Sequence, residues 1–327
     1  MLWPAGCAQP FGLPSLDGEF YPNIGRKVKM LSSAFVAPTV EELRNARKKR
    51  ILIKMLAIYG DDSTDGNKVR VYAFAGVAGT QEEWDYFSID WLTRTEGIPF
   101  HATDCEAGKG AYEKMPYEER MKLSRDLTRM LVGSKLFGCG TAIDLKAFRH
   151  HFKQTSKDDG YFYCFLPVVV HFFYQTRFSV PPRKAQFSFD QNPNTRGNAA
   201  YLYDKYLSKR KEYADMQSLI DKDMAFADSD SVGIQVADLF VYEVMREMMA
   251  NLEGKVGRRP QFELLDQCGR FEIKRFHAVY WHEYSKKHKD VLASTNAKYD
   301  EWRMKHNIKT DNHQNQIRYL IYAENIK

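Results

Sequence analysis

Ile51-Leu52-Ile53-Lys54-Met55-Leu56-Ala57-Ile58-Tyr59-Gly60-Asp61-Asp62-Ser63 is the stretch that sets the fold class. The run from Ile51 to Tyr59 has the aliphatic density of a buried strand, and it stops at a glycine followed by two acids. Val69 to Ala78 supplies a second strand across the Gly66-Asn67 turn signal, so the two read as a hairpin. Neighbouring strand residues point to opposite faces, so only one of Asp61 and Asp62 is expected in a given site, and Asp61 is the choice. Taken alone, these residues suit an Asp- and Ser-rich turn equally well.

Outward from that hairpin, Gln81–Thr95 and Tyr117–Val132 read as helices and Leu136–Ile143 as a third strand. A helical region follows over Leu145–Phe178, with a break expected near Gly160, then a short strand Ala185–Asp190 and a helix over Gly197–Leu207. Gln217–Ala227 is a last strand or edge segment. Val232–Leu252 is an apolar helix with Ser229, Asp230 and Ser231 available as caps. The alternation is of α/β type and predicts a mixed sheet flanked by helices. Residues 1–50 read as a loosely ordered extension ending in a basic run, residues 51–252 as the domain, and residues 253–327 as a C-terminal helical appendage. Phe271, Phe276, Tyr280, Trp281 and Trp302 suggest a helical rhythm there.

At 327 residues and 44% hydrophobic content, the chain has material for one large core. The apolar stretch Tyr161–Tyr174 is too short for a bilayer and contains Pro167 and His171, so no membrane segment is expected. Cys7, Cys105, Cys139, Cys164 and Cys268 are odd in number and dispersed, which disfavours a disulfide framework and a thiolate zinc site; a cytoplasmic protein is expected. The net charge of +6 sits at the ends: residues 55–270 carry 28 Lys and Arg against 31 Asp and Glu. Arg44, Arg47, Lys48, Lys49, Arg50 and Lys54 form a run that suits a phosphate backbone but also a solvated helix face.

The chemistry rests on acids. In Phe187-Ser188-Phe189-Asp190 the two phenylalanines share one face, and Ser188 and Asp190 share the other at the strand's carboxyl end. Asp238 lies within an apolar helix, with Ile234, Val241 and Met245 on its side at helical spacings. A buried carboxylate needs a cation, a strong hydrogen-bond donor or a cavity, and Gln235, one turn earlier, is placed to help orient it. Three converging carboxylates repel one another, and oxygen donors favour magnesium or manganese as compensation. Phe100-His101-Ala102-Thr103-Asp104 is a further polar cluster, with His101 as proton shuttle or phosphate contact and Asp104 as an additional ligand; Asp144 ends the third strand. A calcium loop at Asp61–Gly66 fails because Tyr72 stands where a bidentate Glu is required.

The segments Ala57–Thr64, Phe100–Asp104, Phe189-Asp190 and Gln235-Val236-Ala237-Asp238-Leu239 together resemble the bacterial and phage family called domain of unknown function 3800, over Met55 to Leu252. That family opens with a strand ending in Asp-Glu-Ser-Gly, closes with a helix reading Gln-Leu-Ala-Asp, and is related to ribonuclease-H-like proteins. Here Asp62 replaces the usual Glu and Thr64 the usual Gly. The resemblance implies a ribonuclease-H-like fold in which Asp61, Asp190 and Asp238 hold Mg2+ or Mn2+. Asp62, His101 and Asp104 would assist a nuclease or related phosphoryl-transfer reaction on DNA or RNA. The alternative is a catalytically inactive binding module of a phage or defence system.

Overall fold

The computed structural model describes residues 55–66, 69–152, 159–177, 184–190, 224–278, 283 and 286. The extension and basic run, the expected helix at 197–207 and the aromatics at 280, 281 and 302 lie outside them. Within the described residues one mixed sheet is built from β1 (Met55–Thr64), β2 (Val71–Thr80), β3 (Phe137–Asp144), β4 (Lys184–Asp190), β5 (Ala225–Ala227) and β6 (Phe271–Phe276). The order is β5-β4-β1-β2-β3-β6. Strand β2 is antiparallel to both of its neighbours, β1 and β3; β4 is parallel to β1, β5 to β4 and β6 to β3. The α/β class is therefore as expected.

β2 is buried along its whole length because layers cover both faces of the sheet. On one face lies α5 (Asp159–Arg177), whose Phe165, Val169 and Phe172 pack with Ile58, Phe74, Phe187 and Phe189. The other face carries α6 (Val232–Leu252), together with α1 (Gln81–Arg94) and α3 (Tyr117–Gly133). Short helices α2 (Ala102–Ala107), α4 (Leu145–Phe152) and α7 (Pro260–Gln267) complete the described helices. Helix α1 starts where Thr80 and Glu83 form a reciprocal capping box. Helix α6 is apolar nearly all round because the sheet lies on one side and α1, α2 and α7 on others. It closes on β1 at Gly233, where an added Cβ would meet the Tyr59 ring at 2.3 Å.

Three local expectations change. β1 runs on through the acids to Thr64, so Asp61 and Asp62 are ladder residues opposite Ala75 and Phe74 instead of turn residues. The turn is held by Asp65, whose carboxylate accepts from the amides of Val69, Arg70 and Val71. The helical region divides near Gly160 as expected, into α4 ending at Phe152 and α5 starting at Asp159; Gly160 itself lies in the first turn of α5, where the chain approaches Tyr72 too closely for a side chain. Ser231 caps α6 without a side-chain hydrogen bond. Finally, Phe271 and Phe276 belong to a strand. The alternation Phe271-Glu272-Ile273-Lys274 sends Phe271 and Ile273 to the α6 face and Phe276 to the α5 face, so β6 and α7 are part of the domain.

Candidate active site

β1 is the strand at which the sheet changes sense, antiparallel to β2 on one side and parallel to β4 on the other. One step beyond the Gly60–Phe189 pair, Asp190 ends β4 at its carboxyl end, where α/β sheets place their sites, and Asp61 stands beside it on the parallel strand β1, three residues before that strand's end. The two core clusters fix the facing. Leu56, Ile58, Phe187 and Phe189 pack under α5, whereas Ala57 and Tyr59 pack under α6. By alternation Asp61 and Asp190 face α6. Asp62 faces the α5 side, beside the buried Tyr72, Tyr161 and Cys164, and its negative charge helps to raise the pKa of all three. The pair of neighbouring acids is thus divided between the two faces, and Asp62 does not join the others.

Asp238 reaches the same place from α6. Its side chain is buried, and its Oδ2 accepts a 2.7 Å hydrogen bond from the Ala102 amide. Burial pushes the Asp238 carboxyl up to about 6; His101 and the Ala102 amide pull it down, and Asp190 and Asp104 push it up. Asp61 is raised well above the ordinary carboxyl value, first by burial and then by the charges of Asp238, Asp62 and Asp190, against a 2.7 Å hydrogen bond from the Asp62 amide. Asp238 and Asp190 therefore act on Asp61, and Asp190 on Asp238, as like charges.

His101 and Asp104 are exposed at the rim, with His101 Nδ1 3.2 Å from Asp104 Oδ2. Asp144, by contrast, is structural: its Oδ1 accepts from the amides of Lys146 and Ala147 at the start of α4. Gln235 does not touch Asp238 in the described hydrogen bonds. Its Oε1 accepts from Trp91 Nε1 and from the Phe100 amide, both at 2.9 Å, and its Nε2 donates to the Asp230 carbonyl at 2.8 Å. A second network holds the far end of α2. Arg259 bridges Glu106 at 2.6 Å and Glu243 at 2.9 Å, and Arg246 adds a 3.0 Å contact to Glu106. Arg259 carries no local sequence signal because its partners lie 16 and 153 residues away.

Among the described residues, no three His, Cys, Asp or Glu side chains stand in an arrangement that closes on a metal ion. No described helix is long and apolar enough to cross a membrane. Comparisons of the chain with family models, with curated proteins and with solved structures return no match.

Proposed function

We propose that the chain is a metal-dependent nuclease or related phosphoryl-transfer enzyme built on a ribonuclease-H-like domain, and a member of the domain of unknown function 3800 family. The observation that carries the reading is the gathering of Asp61, Asp190 and Asp238 on one face of the sheet, close enough that Asp190 raises the pKa of both Asp61 and Asp238, and Asp238 that of Asp61. Folding has placed like charges together at a cost, and a bound cation is the ordinary offset for that cost. The mixed sheet, with acids on β1, at the end of β4 and on a covering helix, supports the fold part of the reading.

The donor set suits a hard divalent ion, because carboxylate oxygens favour Mg2+ or Mn2+ over zinc. Asp61, Asp190 and Asp238 would hold it, with Asp238 oriented by the Ala102 amide on its Oδ2. When bound, such an ion supplies charge neutralisation at a phosphodiester and activation of the attacking water. The protein's own part falls to the rim. Asp104 orients His101 through Nδ1, which leaves Nε2 to hold or deliver a proton at the leaving oxygen. Exposure of both side chains lets a polymeric substrate reach them.

One observation favours a second reading, a nucleic-acid or protein-binding module without turnover: among the described residues no three His, Cys, Asp or Glu side chains close on an ion as they stand. Cleavage assays decide between the two. Wild type, Asp61→Asn and Asp238→Asn are compared on single-stranded, duplex and hybrid substrates across Mg2+ and Mn2+ titrations. Metal-dependent cleavage that both variants lose, by a factor of at least about a hundred, is the expected result. Wild-type binding without cleavage of any substrate would leave only the module.

A further inference from the structure

We infer that Gln235 is a positioning residue: together with Oδ2 of Asp238 it holds the backbone on both sides of His101, so that helix α6 sets where His101 stands above the aspartates. His101 has extended backbone angles, φ −130° and ψ 116°. An extended residue leaves the amides before and after it pointing to the same edge, and sends its own side chain to the face opposite its neighbours' side chains. The pattern is seen here. Phe100 and Ala102 are buried at 2% and 4% exposure, while the His101 side chain is 54% exposed. The amides of Phe100 and Ala102 both end on α6, the first on Gln235 Oε1 and the second on Asp238 Oδ2. Residues 235 and 238 are one turn apart on the same helix face.

The orientation of the Gln235 amide is forced by its partners. Trp91 Nε1 and the Phe100 amide are both donors, and the Asp230 carbonyl is an acceptor; a flipped amide would oppose all three. Gln235 is itself only 2% exposed, so each lost bond leaves a desolvated group unmet. Asp238 does for α2 what no residue of its own sequence neighbourhood does. His101, at the N-cap, makes no side-chain cap, and the Ala102 amide is capped from α6 instead. The catalytic consequence rests on the proposed phosphoryl-transfer reading; the clamp itself does not.

Two variants and two measurements test it. Gln235→Met keeps length and removes acceptor and donor; Gln235→Glu keeps the acceptor oxygen for Trp91 and Phe100. Amide exchange is measured at Phe100 against Val241, a buried α6 residue that reports global opening. In Gln235→Met the Phe100 amide is expected to exchange roughly tenfold faster relative to Val241, for a lost hydrogen bond of the usual size. The His101 ring resonances shift and broaden with it, and Gln235→Glu restores much of the Phe100 protection. Where the wild type cleaves, kcat of Gln235→Met falls by up to about a hundredfold with KM little changed, as for a misplaced catalytic group. Phe100 and Val241 moving in step would reduce Gln235 to a stability role and overturn the inference. So would an unchanged His101 spectrum, or undiminished kcat after Phe100 is released. A wild type that cleaves nothing removes the nuclease reading alone, because exchange and the His101 spectrum still judge the clamp.

Discussion

Asp238 carries two obligations: Oδ2 caps α2 through the Ala102 amide, and the carboxylate sits within reach of the charges of Asp61 and Asp190. A carboxylate in that position is unfavourable for stability and, in the proposed enzyme, serves metal binding, and substitution separates the two effects. Asp61→Asn and Asp238→Asn each remove one like charge while retaining an oxygen that can accept the same amide. Without divalent ions at neutral pH, both variants should melt higher than wild type by a few degrees, since ~1 kcal/mol shifts a domain of this size by roughly 2–4 °C. Added Mg2+ or Mn2+ should raise the wild-type melting temperature more than that of either variant. Variants that melt lower than wild type would show that the acids are not in conflict. This residue-scale placement was half legible in the sequence. Alternation separated Asp61 from Asp62, and the apolar helix marked Asp238 as unusual. The link from Gln235 to Phe100 and Trp91 was not, because it spans 135 and 144 residues and leaves no local pattern.

At the scale of elements, α2 is pinned to α6 at both ends. Asp238 holds its first amide, and Arg259 ties its Glu106 to Glu243 of α6. Glu243 is fully buried, and burial raises its carboxyl against the opposing pull of Arg259. Removing Arg259 strands that charge in the interior, so Arg259→Met should cost about 3–5 kcal/mol in urea unfolding. The double variant Arg259→Met/Glu243→Met should recover most of the loss, because no unpaired charge is then buried. Additive losses in the double variant would mean that the pair is not coupled. Helices with capping signals or long apolar periods, α1 and α6, were readable within a residue or two. The tether between α2 and α6 depends on Arg259, at the N-cap of α7, and had no such signature.

For the whole molecule, the decisive feature is the return of the chain to the sheet edge as β6 after α6 has crossed it. Glu272 of β6 meets His171 of α5 at 3.1 Å and Lys274 at 3.0 Å. Burial opposes the charged form, but the His171 hydrogen bond and the Lys274 charge outweigh it and hold the Glu272 carboxyl well below its ordinary 4.5. A depressed folded-state pKa stabilises the protein above the unfolded value, and that contribution is lost as pH falls from about 4.5 toward the folded value. Urea midpoints of wild type should therefore fall more steeply than those of Glu272→Gln between pH 5 and 3, to be followed at roughly half-unit steps; parallel slopes would remove the strand from the acid response. By itself the sequence determined the α/β class, the hairpin, the strand ending in Asp190 and the amphipathic logic that singled out Asp238, because periodicity and burial of apolar side chains are local properties. Only the tertiary structure decided that residues 271–276 close the sheet, that Asp62 faces away, and that α6 sets His101. Each of those depends on partners far along the chain, whose encounter is fixed by packing and by hydrogen-bond satisfaction in the folded interior.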